Sequence, residues 1–165
     1  MIMVDIPICK AAGEGDIAAL RACIEQSCNV NAVSAGSTAL CRAAGKGHLE
    51  ACRFLIENGA KPRLPQTPQI SALRTAVEMG RMEAVTLLLP YCDPRWEFQA
   101  VERAISGGHY DIADFLLQSG KFRFPLDEND SPNIVGISYA DTRTAWHWQN
   151  FIISRPDRLA ALDPL

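Results

Sequence analysis

The stretch AAGKGHLE, residues 43–50, is nearly a copy of AAGEGDIA at residues 11–18, thirty-two positions earlier. With Gly15 and Gly47 as anchors, the phrase recurs with decay at Gly80 and Gly108, at intervals of 32, 33 and 28 residues. That is the spacing of a solenoid, in which one supersecondary unit is written again and again. Small residues precede each anchor at matched places, drifting to larger ones along the chain: Ala11 and Ala12, Ala43 and Ala44, Ala76 and Val77, Ala104 and Ile105. They predict a first helix whose neighbours approach closely.

After each anchor comes an apolar series at offsets 0, 3, 6 and 7, one face of a second helix. It reads Ile17, Leu20, Cys23, Ile24; Leu49, Cys52, Leu55, Ile56; Met82, Val85, Leu88, Leu89; and Tyr110, Ala113, Leu116, Leu117. The glycine between the helices permits a tight reversal, and Gly59 and Gly120 close the second helix in two units. A helix pair this small cannot bury its apolar face alone, so each unit needs a stacked neighbour.

In this frame the residues STALCRAAGKGHLEACRFLIENGA, 37–60, resemble the ankyrin repeat, whose hallmark is T-P-L-H-x-A-A-x-x-G-H followed by a leucine-rich helix and G-A. The second unit is strong by itself, with Thr38, Leu40, Ala43, Ala44, Gly47, His48 and Gly59 in place. The first and third units are good, and the fourth, QAVERAISGGHYD, is divergent but in register. The resemblance implies an all-α fold, an ankyrin-repeat solenoid of helix-turn-helix units with loop fingers, with repeats at about 5–35, 36–69, 70–97 and 98–122. No unit keeps the hallmark's first histidine: Cys9, Cys41, Arg74 and Glu102 stand there. The 28-residue interval implies a shortened loop around Cys92 to Glu97.

The repeat domain of residues 1–122 is followed by 123–165, a linker and helical C-terminal cap. Pro125, the acidic cluster Asp127, Glu128 and Asp130, Pro132 and Gly136 mark an irregular connection. Asp141 is placed to cap a helix running to about Ser154, with Ala145, Trp148, Phe151 and Ile152 on one face. Covering the open end of the fourth unit is the job this segment suits, since terminal units of a solenoid must turn a protected face outward.

The 165 residues are 48% hydrophobic and 21% charged, within the range of globular proteins. A net charge of −3 disfavours nucleic-acid binding by bulk electrostatics. The N-terminus lacks the basic n-region of a secretory signal, and no apolar run approaches the roughly 18 residues of a membrane span. The expected location is therefore cytoplasmic or nuclear. The six cysteines are then expected to be reduced, and in the repeat frame Cys9, Cys23, Cys28, Cys41 and Cys52 are expected to serve packing, as small buried hydrophobes do. Nucleophile elbow, P-loop, HExxH and dinucleotide fingerprints are absent from the sequence, so catalytic residues, metal ligands and cofactors are not expected.

The resemblance implies an interaction module, of adaptor or inhibitor type, that uses the concave face formed by first helices and fingers. Lys10, Arg42, Thr75 and Arg103 share one matched position on that face, Arg74 sits just beside it, and the fingers add Arg63, Arg95 and Trp96. Arg and Trp concentrate interface energy. Arg42, Arg74, Arg95, Trp96, Arg103 and Arg63 are the candidate contacts for an acidic segment of another protein. An alternative is a pocket for a small molecule, or for unusual catalysis, between the groove and a folded-back tail, lined by Tyr139, Asp141, Trp146, His147 and Trp148. The packing of the small-residue seam is directly testable: Ala43→Leu overfills it and lowers stability by about 1 to 3 kcal/mol in urea melts.

Overall fold

The computed structural model describes residues 7–64, 67–93, 99–121 and 151. Paired helices alternate along the chain: α1 (Pro7–Glu14) with α2 (Ile17–Glu25), α3 (Ala39–Lys46) with α4 (Leu49–Glu57), α5 (Ala72–Glu78) with α6 (Met82–Leu88), and α7 (Ala100–Ser106) with α8 (Tyr110–Gln118). A 3-10 turn, Leu89–Tyr91, follows α6. The chain forms two compact units, Met1–Glu97 and Phe98–Leu165.

In the first unit α3 packs between α1 and α5, while α4 touches both α2 and α6. The first helices meet through their smallest side chains: Ala12, Ala39, Ala43, Ala44, Ala72 and Ala76 are fully buried. The second helices supply the larger apolar groups. Residues at offsets 3 and 6 of the repeated series, including Leu20, Cys52, Leu55, Val85 and Leu88, are buried, whereas Ile17, Ile24, Leu49, Ile56 and Met82 at offsets 0 and 7 are half-buried. The apolar stripe is thus rotated from the one the sequence suggests: Ala51, Ala84 and Ile112 at offset 2 are buried, while the rows at offsets 0 and, except for Leu89, 7 lie at the margin of the core.

Each helix pair reverses at its anchor glycine. Gly47 takes φ 81°, the left-handed region, and the following amide, His48 N–H, donates back to Ala43 O at 2.9 Å. Only glycine enters that region without a Cβ penalty. Although the hallmark histidine is missing, the start of the first helix is still held. Thr38 Oγ1 accepts from Cys41 N–H at 3.2 Å, and Ser71 Oγ accepts from Arg74 N–H at 3.3 Å. These N-caps satisfy amides that the helix itself leaves unpaired.

Units are joined in two further ways. The residue after the anchor glycine reaches across to the preceding repeat: His48 Nε2 lies 3.2 Å from Gly13 O and therefore donates to it, and Arg81 Nε donates to Gly45 O at 3.2 Å. In the first repeat the same place holds Asp16, which caps its own helix by accepting from Ala19 N–H at 2.9 Å. The fingers supply the second link. Short antiparallel pairs β1 (Val33–Ser34) with β2 (Ser37–Thr38) and β3 (Arg63–Leu64) with β4 (Thr67–Ser71) project between the helix pairs. Asn31 ties the first to the second: its Nδ2 donates to Gly59 O at 3.1 Å and its Oδ1 accepts from Lys61 N–H at 2.8 Å.

In the second unit α7 packs on α8, and Ala104, Ile105, Ile112, Ala113 and Leu116 are buried. Phe151, in helical conformation and 4% exposed, lies with its ring 5.8 Å from that of Tyr110 at 48°. Edge-inclined packing of this kind is favourable for aromatic pairs. The rest of the expected linker and capping helix, with the shortened loop at 94–97, lies outside the described residues.

The contact across repeats gives a measurable expectation. His48→Ala removes a half-buried hydrogen bond and lowers stability by about 1 kcal/mol. The urea midpoint should fall with the slope unchanged, and an unaltered midpoint would show that the imidazole does not join the repeats.

Candidate functional site

The first helices and the turns beside them enclose a groove of about 560 Å3 in the first unit, lined from α1, α3 and α5. Position by position, Lys10, Arg42 and Thr75 form one row, and one helical turn further on Glu14, Lys46 and Met79 form a second. Between them Gly13 and Gly45 leave bare backbone in the first two repeats. Cys9 and Cys41 contribute to the floor, and both are buried.

Among the described residues, Arg42, Lys10, Lys46 and Arg81 line this groove with a single carboxylate, Glu14. Glu14 is itself 4.0 Å from Lys10, an exposed i,i+4 pair of the kind that contributes little to stability. Arg42 is oriented by the first finger, since its Nη2 donates to Ser34 O at 3.2 Å. The carboxylates Glu25, Glu50, Glu57 and Glu83 are exposed on the second helices. Acidic residues thus outnumber basic ones on the second helices, which also carry Arg21 and Arg53, while the first helices mix Lys10, Arg42 and Lys46 with Glu14 and Glu78.

The other candidates stand elsewhere. Arg74 is half-buried, one position before Thr75 and outside the groove lining, with Nε 3.8 Å from Glu78 Oε1. Arg63 lines a smaller cavity of about 310 Å3 at the base of the second finger, with Lys61, Leu73, Leu88, Tyr91 and Asp93. Arg103 is half-buried on α7 in the second unit. Arg95 and Trp96 lie outside the described residues, as do Tyr139, Asp141, Trp146, His147 and Trp148 of the alternative pocket.

Sequence reasoning missed Lys46, Met79 and Arg81. A readable signal existed for all three. Lys46 and Met79 follow Arg42 and Thr75 by four residues, which is one turn along the same helix face. Arg81 occupies the place of His48, one residue past the anchor glycine.

All six cysteines are free thiols: Cys9, Cys23, Cys41 and Cys52 are buried, Cys28 and Cys92 half-buried. Burial pushes the Cys52 thiol up to about 11, the nearby Cys41 adds to the rise, and the Arg53 guanidinium opposes it. Cys23 is raised by burial first, then by the Cys28 thiol beside it. That neighbour is set by the helix end. Cys28 N–H donates to Cys23 O at 3.0 Å and Ser27 N–H to Ile24 O at 2.9 Å, with Ser27 at φ 59°. This is the Schellman closure, whose outer residues meet side chain to side chain. Among the described residues no group of three or more His, Cys, Asp or Glu could hold a metal ion, and no helix is long and apolar enough to cross a membrane.

Stacked helix pairs with anchor glycines and projecting fingers define a helical repeat protein. The family profile for ankyrin repeats (3 copies) matches residues 4–66. The chain is 36% identical over 152 residues to the ankyrin repeat domain-containing protein oryK of Aspergillus oryzae (strain ATCC 42149 / RIB 40), an alignment that covers 90% of this chain and 24% of that protein. It is also similar to the crystal structure of the human ASB11 ankyrin repeat domain, with a TM-score of 0.59 at 27% identity over 69% of this chain and 54% of that one. The chain thus spans about a quarter of the length of its curated relative. It is an ankyrin-repeat protein, and repeats of this family bind other proteins.

Burial sets the expected thiol chemistry. In native buffer at neutral pH an aromatic disulfide reagent should titrate Cys28 and Cys92 while sparing Cys9, Cys23, Cys41 and Cys52, and denaturant should release all six. Because Cys52 is raised in the fold, the stability tied to its thiol form is complete below its ordinary value of 9.0 and is lost as pH rises toward about 11. Fast native modification of all six would contradict this packing.

Proposed function

We propose that this chain is an adaptor or inhibitor that binds an acidic segment of another protein along the groove of α1, α3 and α5. The observation that carries this reading is the groove lining itself, with Lys10, Arg42, Lys46 and Arg81 facing one carboxylate in a chain of net charge −3. A concave wall of one sign attracts and orients an oppositely charged partner, and it does so against the overall repulsion of an acidic protein. The fingers extend that surface. Arg63 at the base of the second finger, with Arg74, Arg95 and Trp96, adds contacts beyond the groove, and Arg103 is a separate candidate contact on α7 of the second unit. Phe151, packed on Tyr110, suits the role of a cover for the end of the fourth repeat.

A fluorescent peptide of alternating Glu and Ser, followed by polarisation, tests the proposal. Binding should weaken with salt and fall at least about tenfold in the double variant Lys10→Glu, Arg42→Glu. Arg53→Glu, an exposed change on α4, should leave it unaltered. Equal affinity of the double variant and the parent chain would remove the groove from the function.

A further inference from the structure

The groove changes character along its length, and the change falls on particular side chains. At Gly45 a Cβ would stand 2.9 Å from Thr75 Cγ2 and 3.6 Å from Met79 Cγ. The methyl and the thioether chain therefore lie against bare backbone of α3 and make an apolar ledge in the third repeat. Met79 is 56% exposed although it is a large apolar residue. At Gly13 the corresponding neighbour is Arg42 Cβ, at 3.9 Å, so the preceding step of the groove presents a cation instead.

Charge frames the ledge. Lys46, exposed in the last turn of α3, has no partner among the described residues. Arg81 folds over Gly47, where a Cβ would meet its Cδ at 3.5 Å, and its Nε is spent on Gly45 O. Arg42 stands one turn before Lys46 on the same helix face, oriented by the Ser34 carbonyl. A cationic step on α3 thus adjoins an apolar step on α5.

Packed helices lie about 8–10 Å apart, and a chain in the extended polyproline II conformation advances about 3.1 Å per residue with about three residues per turn, so side chains i and i+3 share one face. One step of the groove therefore corresponds to about three residues, one full turn, of such a ligand. We propose that the groove selects an extended protein segment in which a carboxylate side chain and an apolar side chain are separated by two residues. The carboxylate pairs with Lys46 and Arg42, and the apolar group rests on Thr75 and Met79. An unbranched or γ-branched side chain suits this surface, because the flexible thioether reshapes around it. The proposal rests on the acidic-segment reading above and sharpens it to a spacing.

The test uses fluorescent peptides in a Gly-Ser background carrying one Glu and one Leu, separated by zero, two or five residues in either order, titrated against the full chain. The two-residue gap should bind about tenfold tighter than the other gaps. Met79→Ser should abolish that advantage, and Lys46→Glu should transfer the preference to the peptide with Lys in place of Glu. Both side chains are exposed, so both variants should keep the parent far-UV circular dichroism. If peptides bearing Glu bind equally with and without Leu at any spacing, the proposed selection is wrong while the acidic-segment reading stands. If no acidic peptide binds, both are wrong.

Discussion

Close approach of α1, α3 and α5 is the constraint on which the first unit depends. Helices of seven and eight residues are too short to persist alone in water. Tertiary packing must hold them, and here it does so through alanines with no exposed surface. A side chain larger than alanine at Ala43 or Ala76 would push the first helices apart. The apolar groups of α4 would then move away from those of α2 and α6, since each pair turns as one piece about its glycine. The small residues are thus not weak spots in the core; they set the spacing at which Leu20, Leu55 and Leu88 fill the outer layer.

Backbone hydrogen bonding explains why the links between repeats fall where they do. The last carbonyls of a short helix have no partner within it. His48 and Arg81 each donate to one of these, in the repeat before their own. The same side chains cover glycines: a Cβ at Gly15 would come within 2.9 Å of the His48 ring. Imidazole and guanidinium are chemically different, yet both carry an N–H at the reach the position requires. The equivalence is one of geometry, and a comparison by residue type overlooks it.

The repeat period, the helix pairs and the buried rows were legible because each rests on a local pattern stated several times over. Gly15, Gly47, Gly80 and Gly108 all adopt positive φ as their shared place predicts. The groove was legible only in part. Lys10, Arg42 and Thr75 were found because they share a register, but register says nothing of which side chains bend inward. Arg74 belongs to the row of buried Cys9 and Cys41, and its long chain takes up an ion pair with Glu78 at 3.8 Å rather than entering the groove. Met79 reads in sequence as one more apolar residue near a helix end. Its exposure follows from Gly45 opposite, which gives it backbone to rest on without enclosing it.

Tight packing and the shape of the groove are therefore linked in the same residues. Glycine at 45 satisfies the first, since a Cβ there would stand 2.9 Å from Thr75 Cγ2, and together with Gly13, where a Cβ would meet nothing nearer than 3.9 Å, it leaves bare backbone in the groove. What fills each step is then decided by the next repeat: Arg42 beside Gly13, Thr75 and Met79 beside Gly45. Glu25, Glu50, Glu57 and Glu83 stand on the second helices, whereas Glu14 lies in the groove itself, 4.0 Å from Lys10. On the function proposed above, a stack of this kind would change its ligand through exposed residues such as Lys46 or Met79 while the alanine seam beneath stays as it is.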